Sequence, residues 1–250
     1  MQFVPMLDTN RGCSSFILGD ESSGAAVIVD PLQALGIEAY VLTVQDLGLR
    51  LTSIAETHVH ADHASLARAL ADTLHIPLAL SRHAPARFPF SPLSDGQVLS
   101  FGGMTLTVWE TPGHTPDSLS FLVTDVTRGP EPWAVLTGDS LFVGDVGRPD
   151  LVDGSPAAVA EASRQQYKTV RRLMTLPDYT EVWPAHWGAS PCGGLFMSKK
   201  PQSTIGYERL YNRMLVLDSR EEFLDYQQRL VKEAPEEASA LRRANLGWDA

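Results

Sequence analysis

Thr57-His58-Val59-His60-Ala61-Asp62-His63 sets three imidazoles and a carboxylate within six consecutive positions of a 250-residue chain. Imidazole is a ligand for zinc and iron, and a carboxylate binds one ion terminally or bridges two. The cluster reads as metal chemistry. His58 and His60 are two residues apart, so on an extended segment both rings point to one side and two nitrogens can meet one ion. Residues 51–56 predict a strand that runs straight into the cluster. Residues 64–74, rich in Ala and Leu, predict a helix with Asp62 as its N-cap. That change of direction re-aims Asp62 and His63, which then offer a second set of donors.

Outward from this stretch, short apolar runs at 3–7, 15–18 and 25–29 are separated by Asn10-Arg11-Gly12 and Ser22-Ser23-Gly24, which is turn chemistry. They predict antiparallel strands. Residues 32–48 carry Leu35, Ala39, Leu42 and Leu47 near helical spacing and predict a helix. Downstream, 77–81 predicts a strand and the proline-rich 85–95 a loop. Strands are predicted at 97–100, 105–110, 118–124, 133–137 and 181–183, with Pro112-Gly113-His114-Thr115-Pro116 as a rigid loop between two of them. Ser155-Pro156 predicts a helix start, a cap followed by proline at the first position, with the helix running to about 176. Past Ser203 the pattern turns helical and more charged, and no internal repeat is visible.

Each further ligand-type residue, His114, Asp139 and His186, follows a predicted strand. Strand ends in packed sheets share an edge, where loops on a rigid scaffold build sites. The order of elements predicts an α/β fold, two sheets packed against each other with helices outside. One domain is expected over 1–250, with a helical extension from about 203. Of seven histidines, five fall in these loops, and only His75 and His83 lie elsewhere. For those two, a surface or hydrogen-bonded role is the expectation.

Composition narrows the function. Hydrophobic residues at 44% and charged residues at 20% are those of an ordinary globular protein. A formal net charge of -10 offers no basic field to phosphate backbones or anionic lipid, so neither nucleic acid nor membrane is expected as a partner. Cys13 and Cys192 cannot build a disulfide framework, and with no signal-like start and no bilayer-length apolar run a cytoplasmic setting is expected. Cys13 is expected to be structural.

The His-X-His-X-Asp-His pattern from His58 to His63, followed by separate His114, Asp139 and His186, resembles that of the metallo-β-lactamase superfamily. The resemblance implies an αββα sandwich of two mixed sheets with the metal site at the sheet edges. Gly147-Arg148-Pro149-Asp150 after Asp139, Pro184-Ala185-His186, and Ser203-Thr204-Ile205-Gly206-Tyr207-Glu208-Arg209 with Asn212 are similar to the persulfide dioxygenases, especially bacterial members fused to rhodanese. Two departures are Trp187 after the histidine and Arg213 after the asparagine. The family implies one Fe(II) per chain held by His58, His114 and Asp139, acting on a persulfide and O2. It makes His60, Asp62, His63 and His186 either groups that orient ligands and water or the holders of a second metal.

Two side chains beside this set are candidates to face substrate. Arg148 has the fork to pair with a carboxylate of a glutathione-type substrate, against a loop-bridging role. Cys192, a few residues past His186, is a candidate to face the pocket and carry persulfide itself, weighed against an inert buried thiol. Rhodanese as a partner and a homo-oligomer are kept as candidate associations. The rivals are a binuclear zinc thioesterase of the glyoxalase II type, which uses the same ligands on S-acylglutathione, and a metal-binding scaffold without catalysis.

Overall fold

The structure is a computed structural model that describes residues 1–188, 190–217, 219–229, 231 and 236–248. Strands β1 (Gln2–Asp8), β2 (Cys13–Asp20), β3 (Ala25–Val29), β4 (Arg50–Ala55), β5 (Leu78–Ser81) and β6 (Ser91–Leu93) form one sheet in sequential order. The second sheet orders β7 (Val98–Phe101), β8 (Met104–Glu110), β9 (Leu119–Asp125), β10 (Ala134–Gly138), β11 (Glu181–Pro184) and β12 (Ser203–Thr204) from one edge to the other. Both sheets are mixed. The first passes from antiparallel to parallel at the β3–β4 pair, and the second has one parallel pair, β10–β11.

Alternation along the central strands explains why helices cover both outer faces. Phe16, Leu18, Val27 and Val29 point inward and meet Leu106, Val108, Phe121, Val123 and Leu136 of the other sheet. Their neighbours Ile17 and Ile28 point outward, against Tyr40 and Val44 of α1 (Gly36–Asp46) and Leu70 of α2 (Ala67–Leu74). On the far side Val135 and Val182 pack under Val170 and Leu173 of α3 (Pro156–Leu173) and Phe223 of α5 (Arg220–Arg229). Strands buried on both faces read as continuous apolar runs, which is why the sequence shows them so clearly.

Ser155 caps α3 as its sequence predicts, accepting from the Ala158 amide at 3.4 Å. Elsewhere the structure corrects details. Residues 32–48 hold a 3-10 turn (Gln33–Leu35) before α1 begins, and the segment 85–95 contains the edge strand β6, where Pro92 is tolerated because an edge needs no donor on its outer side. Asp62 does not cap α2. That helix starts at Ala67 with Leu66 at its N-cap and no side-chain cap bond. After α4 (Ile205–Tyr211) and α5, the last described helix is α6 (Glu236–Asn245). The stretch past 203, where a helical extension is expected, holds α4, α5 and α6, while 218, 230, 232–235 and 249–250 lie outside the described residues. No helix among the described residues is long and apolar enough to cross a membrane.

Candidate metal centre

The site lies where β4, β8, β10 and β11 end. Residues 56–63 leave β4 as irregular chain rather than strand, so the two-residue spacing of His58 and His60 does not place both rings on one ion. The loop hangs instead from Asp30, which follows β3 with a left-handed backbone (φ 51°). Its carboxylate accepts from the Thr57 amide at 2.7 Å and the Thr57 hydroxyl at 2.8 Å, and His60 Nε2 lies 3.3 Å away. Asp30 and its burial raise and lower the His60 pKa respectively; Asp30 wins, and the imidazole is raised to about 9.

Two donor sets result. In the first, ligand atoms of His58, His114 and Asp139 all lie within 4.8 Å of one another, and all three residues are buried. Asp139 Oδ2 is 3.3 Å from His114 Nε2 and 3.6 Å from His58 Nε2. Each ring has its other nitrogen engaged, His114 Nδ1 with the Arg148 carbonyl at 2.9 Å and His58 Nδ1 with the Thr57 hydroxyl at 3.0 Å. Among the described residues, His58 Nε2 and Asp139 Oδ2 have no hydrogen-bond partner despite full burial. Orphaned buried polar atoms are costly, and donors on one ion at roughly 2.0–2.2 Å face each other in this way. The residues fit a metal.

The second set gathers Asp62, His63 and His186 with Cys13. Asp62 Oδ1 is 3.0 Å from His63 Nδ1, and Asp62 Oδ2 is 2.8 Å from His186 Nε2. His186 Nδ1 meets Asp139 Oδ1 at 2.6 Å, which joins the two sets through one ring. Burial opposes charge on Asp139, but His186 and His58 hold its pKa well below the usual carboxylate range. Burial likewise opposes the charge of His186, and Asp139 and Asp62 overcome it and raise the imidazole well above its ordinary value. His58 and His114 go the other way, lowered chiefly by burial, which favours the neutral form a metal requires. His60 belongs to neither set.

The turn 147–150 approaches this centre from outside. A Cβ on Gly147 would lie 2.1 Å from the Asp139 carbonyl oxygen and 2.9 Å from His114 Cβ, so only glycine allows the approach that brings the Arg148 carbonyl to His114. The Arg148 side chain does not present its fork to a substrate carboxylate. Its Nε and Nη2 donate to the two oxygens of Asp150 at 2.8 and 2.6 Å, the residue is only 6% exposed, and its amide donates to the Cys192 carbonyl at 3.1 Å. A bidentate partner two residues away satisfies the guanidinium locally. Cys192 is also buried, with Sγ within 4.8 Å of donors of Asp139 and His186. Burial, with the charges of Asp62 and Asp139, pushes its thiol well above the ordinary range. His75 ends α2 and His83 reaches Glu110 at 3.5 Å, both away from the centre.

Several positions that shape the site carry no signal in the sequence. Asp117 accepts from the Val59 amide at 2.7 Å and pairs with Arg242 of α6, whose Nη1 also donates to the Val59 carbonyl at 2.6 Å. Asn245 donates to the carbonyls of His60 and His63. The Asp30-Pro31 step was a readable sign of a turn; the others are polar contacts to backbone, which leave no periodicity. Asp62 also forms one wall of a cavity of about 500 Å³, lined further by Arg11, Gly12, Trp187, Pro191 and Lys199.

Residues 8–186 match the metallo-beta-lactamase superfamily. The chain belongs to that superfamily. Within it, the chain is 30% identical over 239 residues to the mitochondrial persulfide dioxygenase ETHE1 of Bos taurus, covering 94% of this chain and 84% of that protein. It is 33% identical over 177 residues to the hydroxyacylglutathione hydrolase of a Synechococcus species, covering 68% of this chain and 63% of that one. The crystal structure of ETHE1 from Myxococcus xanthus superposes with a TM-score of 0.82 at 28% identity, covering 100% of both chains. This superfamily enzyme therefore shares the αββα sandwich of two mixed sheets with ETHE1 along its whole length.

Proposed function

We propose that the chain is an Fe(II)-dependent persulfide dioxygenase, which oxidises the outer sulfur of glutathione persulfide or a similar thiol persulfide to sulfite and releases the thiol. The observation that carries this reading is the first donor set, His58, His114 and Asp139, from which His60 is turned away toward Asp30. Two imidazoles and one carboxylate leave coordination positions open, as non-haem Fe(II) oxygenases require. One iron held there would supply adjacent positions for O2 and for sulfur, so that both reactants meet in one coordination sphere. The likeness to ETHE1 proteins supports the same reaction class.

The protein's own groups hold that geometry. The Arg148 carbonyl and the Thr57 hydroxyl fix the tautomers of His114 and His58, leaving Nε2 of each for the metal. His186 occupies Asp139 Oδ1, so Oδ2 is the oxygen left to bind. Asp62 and His186, paired at 2.8 Å beside Asp139, are the groups this reading assigns to orienting the water that completes sulfite. Oxygen and water enter, and thiol, sulfite and protons leave. Arg11 and Lys199, exposed and lining the cavity, would attract an anionic substrate to a protein whose overall charge is -10. Small-molecule persulfide and O2 are the partners this reading needs.

The second reading, a binuclear zinc thioesterase, draws on the second donor set and on the Synechococcus hydrolase. One experiment separates them. The protein is purified anaerobically, its iron and zinc are measured, and O2 uptake with glutathione persulfide is followed beside S-acylglutathione hydrolysis. Iron near one per chain with O2 uptake supports the dioxygenase. Thioesterase activity with no O2 uptake sinks it.

A further inference from the structure

Trp187 follows His186 directly and departs from the persulfide dioxygenase pattern at a position beside the metal centre. Its backbone is clamped on both sides. The Trp187 amide donates to the Gly12 carbonyl at 2.8 Å, and the Gly188 amide donates to the Ser198 carbonyl at 2.7 Å. The first bond ties it to the β1–β2 turn that carries Arg11, the second to the segment that carries Lys199. Gly12 has a left-handed backbone (φ 69°), and a Cβ there would lie 2.1 Å from the Trp187 carbonyl oxygen. Only glycine lets the two segments approach so closely.

Trp187 also lines the cavity of about 500 Å³ that Asp62 borders. The residue is half-buried, and Nε1, the one polar atom of its side chain, is buried without a hydrogen-bond partner among the described residues. What remains accessible of the side chain is therefore carbon. Pro191 adds a second apolar lining, and Arg11 and Lys199 supply cations on the two segments to which Trp187 is tied. Cavities of roughly 300–1,000 Å³ take small organic molecules, held by apolar walls and oriented by a few polar groups. A bare hydropersulfide would leave most of this one to water.

We infer that Trp187 is the specificity-determining residue of this site, an aromatic wall that selects persulfides with an extended, carboxylate-bearing organic body over short ones such as hydrogen persulfide or the persulfide of 2-mercaptoethanol. The inference rests on the dioxygenase reading only for the group that reacts. Carbon segments of the substrate leave water for the indole surface, and an aromatic ring offers a large area for that contact. The carboxylates meet Arg11 and Lys199. Because backbone bonds to two segments hold the wall in place beforehand, little ordering of the protein opposes binding. A short persulfide has no body to lay on the indole and gains little from it.

The test measures binding of S-methylglutathione to the intact protein by calorimetry. This probe keeps the body and carboxylates of such a substrate but has no persulfide to oxidise and no thiolate for a metal. Trp187→Gly should raise its Kd about tenfold. Trp187→Phe keeps an apolar ring and loses only the buried N–H, so its Kd should stay within about threefold of wild type. Indole fluorescence gives a second readout: wild type should respond to S-methylglutathione, and Trp187→Phe should lack that response. In turnover, the ratio of kcat/KM for glutathione persulfide to that for 2-mercaptoethanol persulfide should fall about tenfold in Trp187→Gly. Should Trp187→Gly fail to fold, the fluorescence of Trp187→Phe decides. No binding to wild type, equal Kd values for wild type and Trp187→Gly, a Trp187→Phe that binds as weakly as Trp187→Gly, or a fluorescence response that persists in Trp187→Phe overturns the inference. The binding readouts need no O2 chemistry, so intact binding without O2 uptake would sink the dioxygenase reading alone.

Discussion

Asn245 Nδ2 donates to the backbone carbonyl of His63 at 2.9 Å across 182 residues of sequence, and to that of His60 at the same distance. The last described helix thus holds the loop that carries the metal-type ligands. Its neighbour Arg242 does the same from one turn earlier, through the Val59 carbonyl and Asp117.

Asn245→Ala leaves two carbonyls and the Ser65 amide, which Asn245 Oδ1 accepts at 3.0 Å, without partners. The cost should be about 1–3 kcal/mol. Arg242→Ala strands Asp117, whose side chain is 1% exposed, and should cost more, about 3–5 kcal/mol. Urea denaturation midpoints of both variants measure this. Equal effects, or none, would show that α6 merely covers the loop.

Arg148 gives a prediction that separates structure from substrate binding. Its buried pair with Asp150 means that Arg148→Ala leaves a carboxylate 2% exposed and uncompensated, at a cost of about 3–5 kcal/mol. The double variant Arg148→Ala/Asp150→Ala should recover part of that stability. A substrate-binding arginine would instead raise KM and leave the denaturation midpoint unmoved.

These cases show what the sequence carries and what it does not. Strands such as β2, β3 and β10 were legible because both faces are buried, so apolar residues run without a break. The ligand-type residues were legible because each follows a strand end. Arg148 was read as a substrate fork because nothing in Gly147-Arg148-Pro149-Asp150 reveals that the turn folds Asp150 back onto the guanidinium. His60 was read as sharing an ion with His58 because the spacing argument holds for extended chain; its ring lies 4.3 Å from that of His58, but its Nε2 turns to Asp30. The placement of Cys13 opposite His186 was not legible, because it depends on a bridge between segments far apart in the chain.

Glu208 links the Ser203–Arg209 segment to the site loop. It accepts from the Gly144 amide at 2.9 Å and from Asn212 Nδ2 at 2.8 Å, and Asn212 in turn donates to the Asp145 carbonyl at 3.0 Å. Burial raises the Glu208 pKa above its unfolded value. A raised folded pKa means that the folded state binds the proton more tightly, so the stability from this group is full below the unfolded pKa and is lost as pH rises through the folded one. Glu208→Gln should flatten that part of the stability profile between acid and neutral pH. Denaturation midpoints measured across that range check it, and an unchanged slope refutes it.

Arg11 and Lys199 both line the cavity that Asp62 borders, Arg11 on the β1–β2 turn and Lys199 beyond the Cys192 loop. Both are exposed. If they receive the carboxylates of a glutathione-type substrate, each charge-assisted contact is worth about 1 kcal/mol at an exposed position. Arg11→Ala with Lys199→Ala should then raise KM for glutathione persulfide by up to roughly thirtyfold, with kcat nearly unchanged because neither group touches the reacting sulfur. A persulfide of 2-mercaptoethanol, which has no carboxylate, should show no such change. Raising the salt concentration should narrow the gap between wild type and double variant, since exposed charges are screened. Equal KM values for wild type and variant at low salt would place substrate recognition elsewhere, and a fall in kcat without a change in KM would mean that the loops, not the charges, had been disturbed.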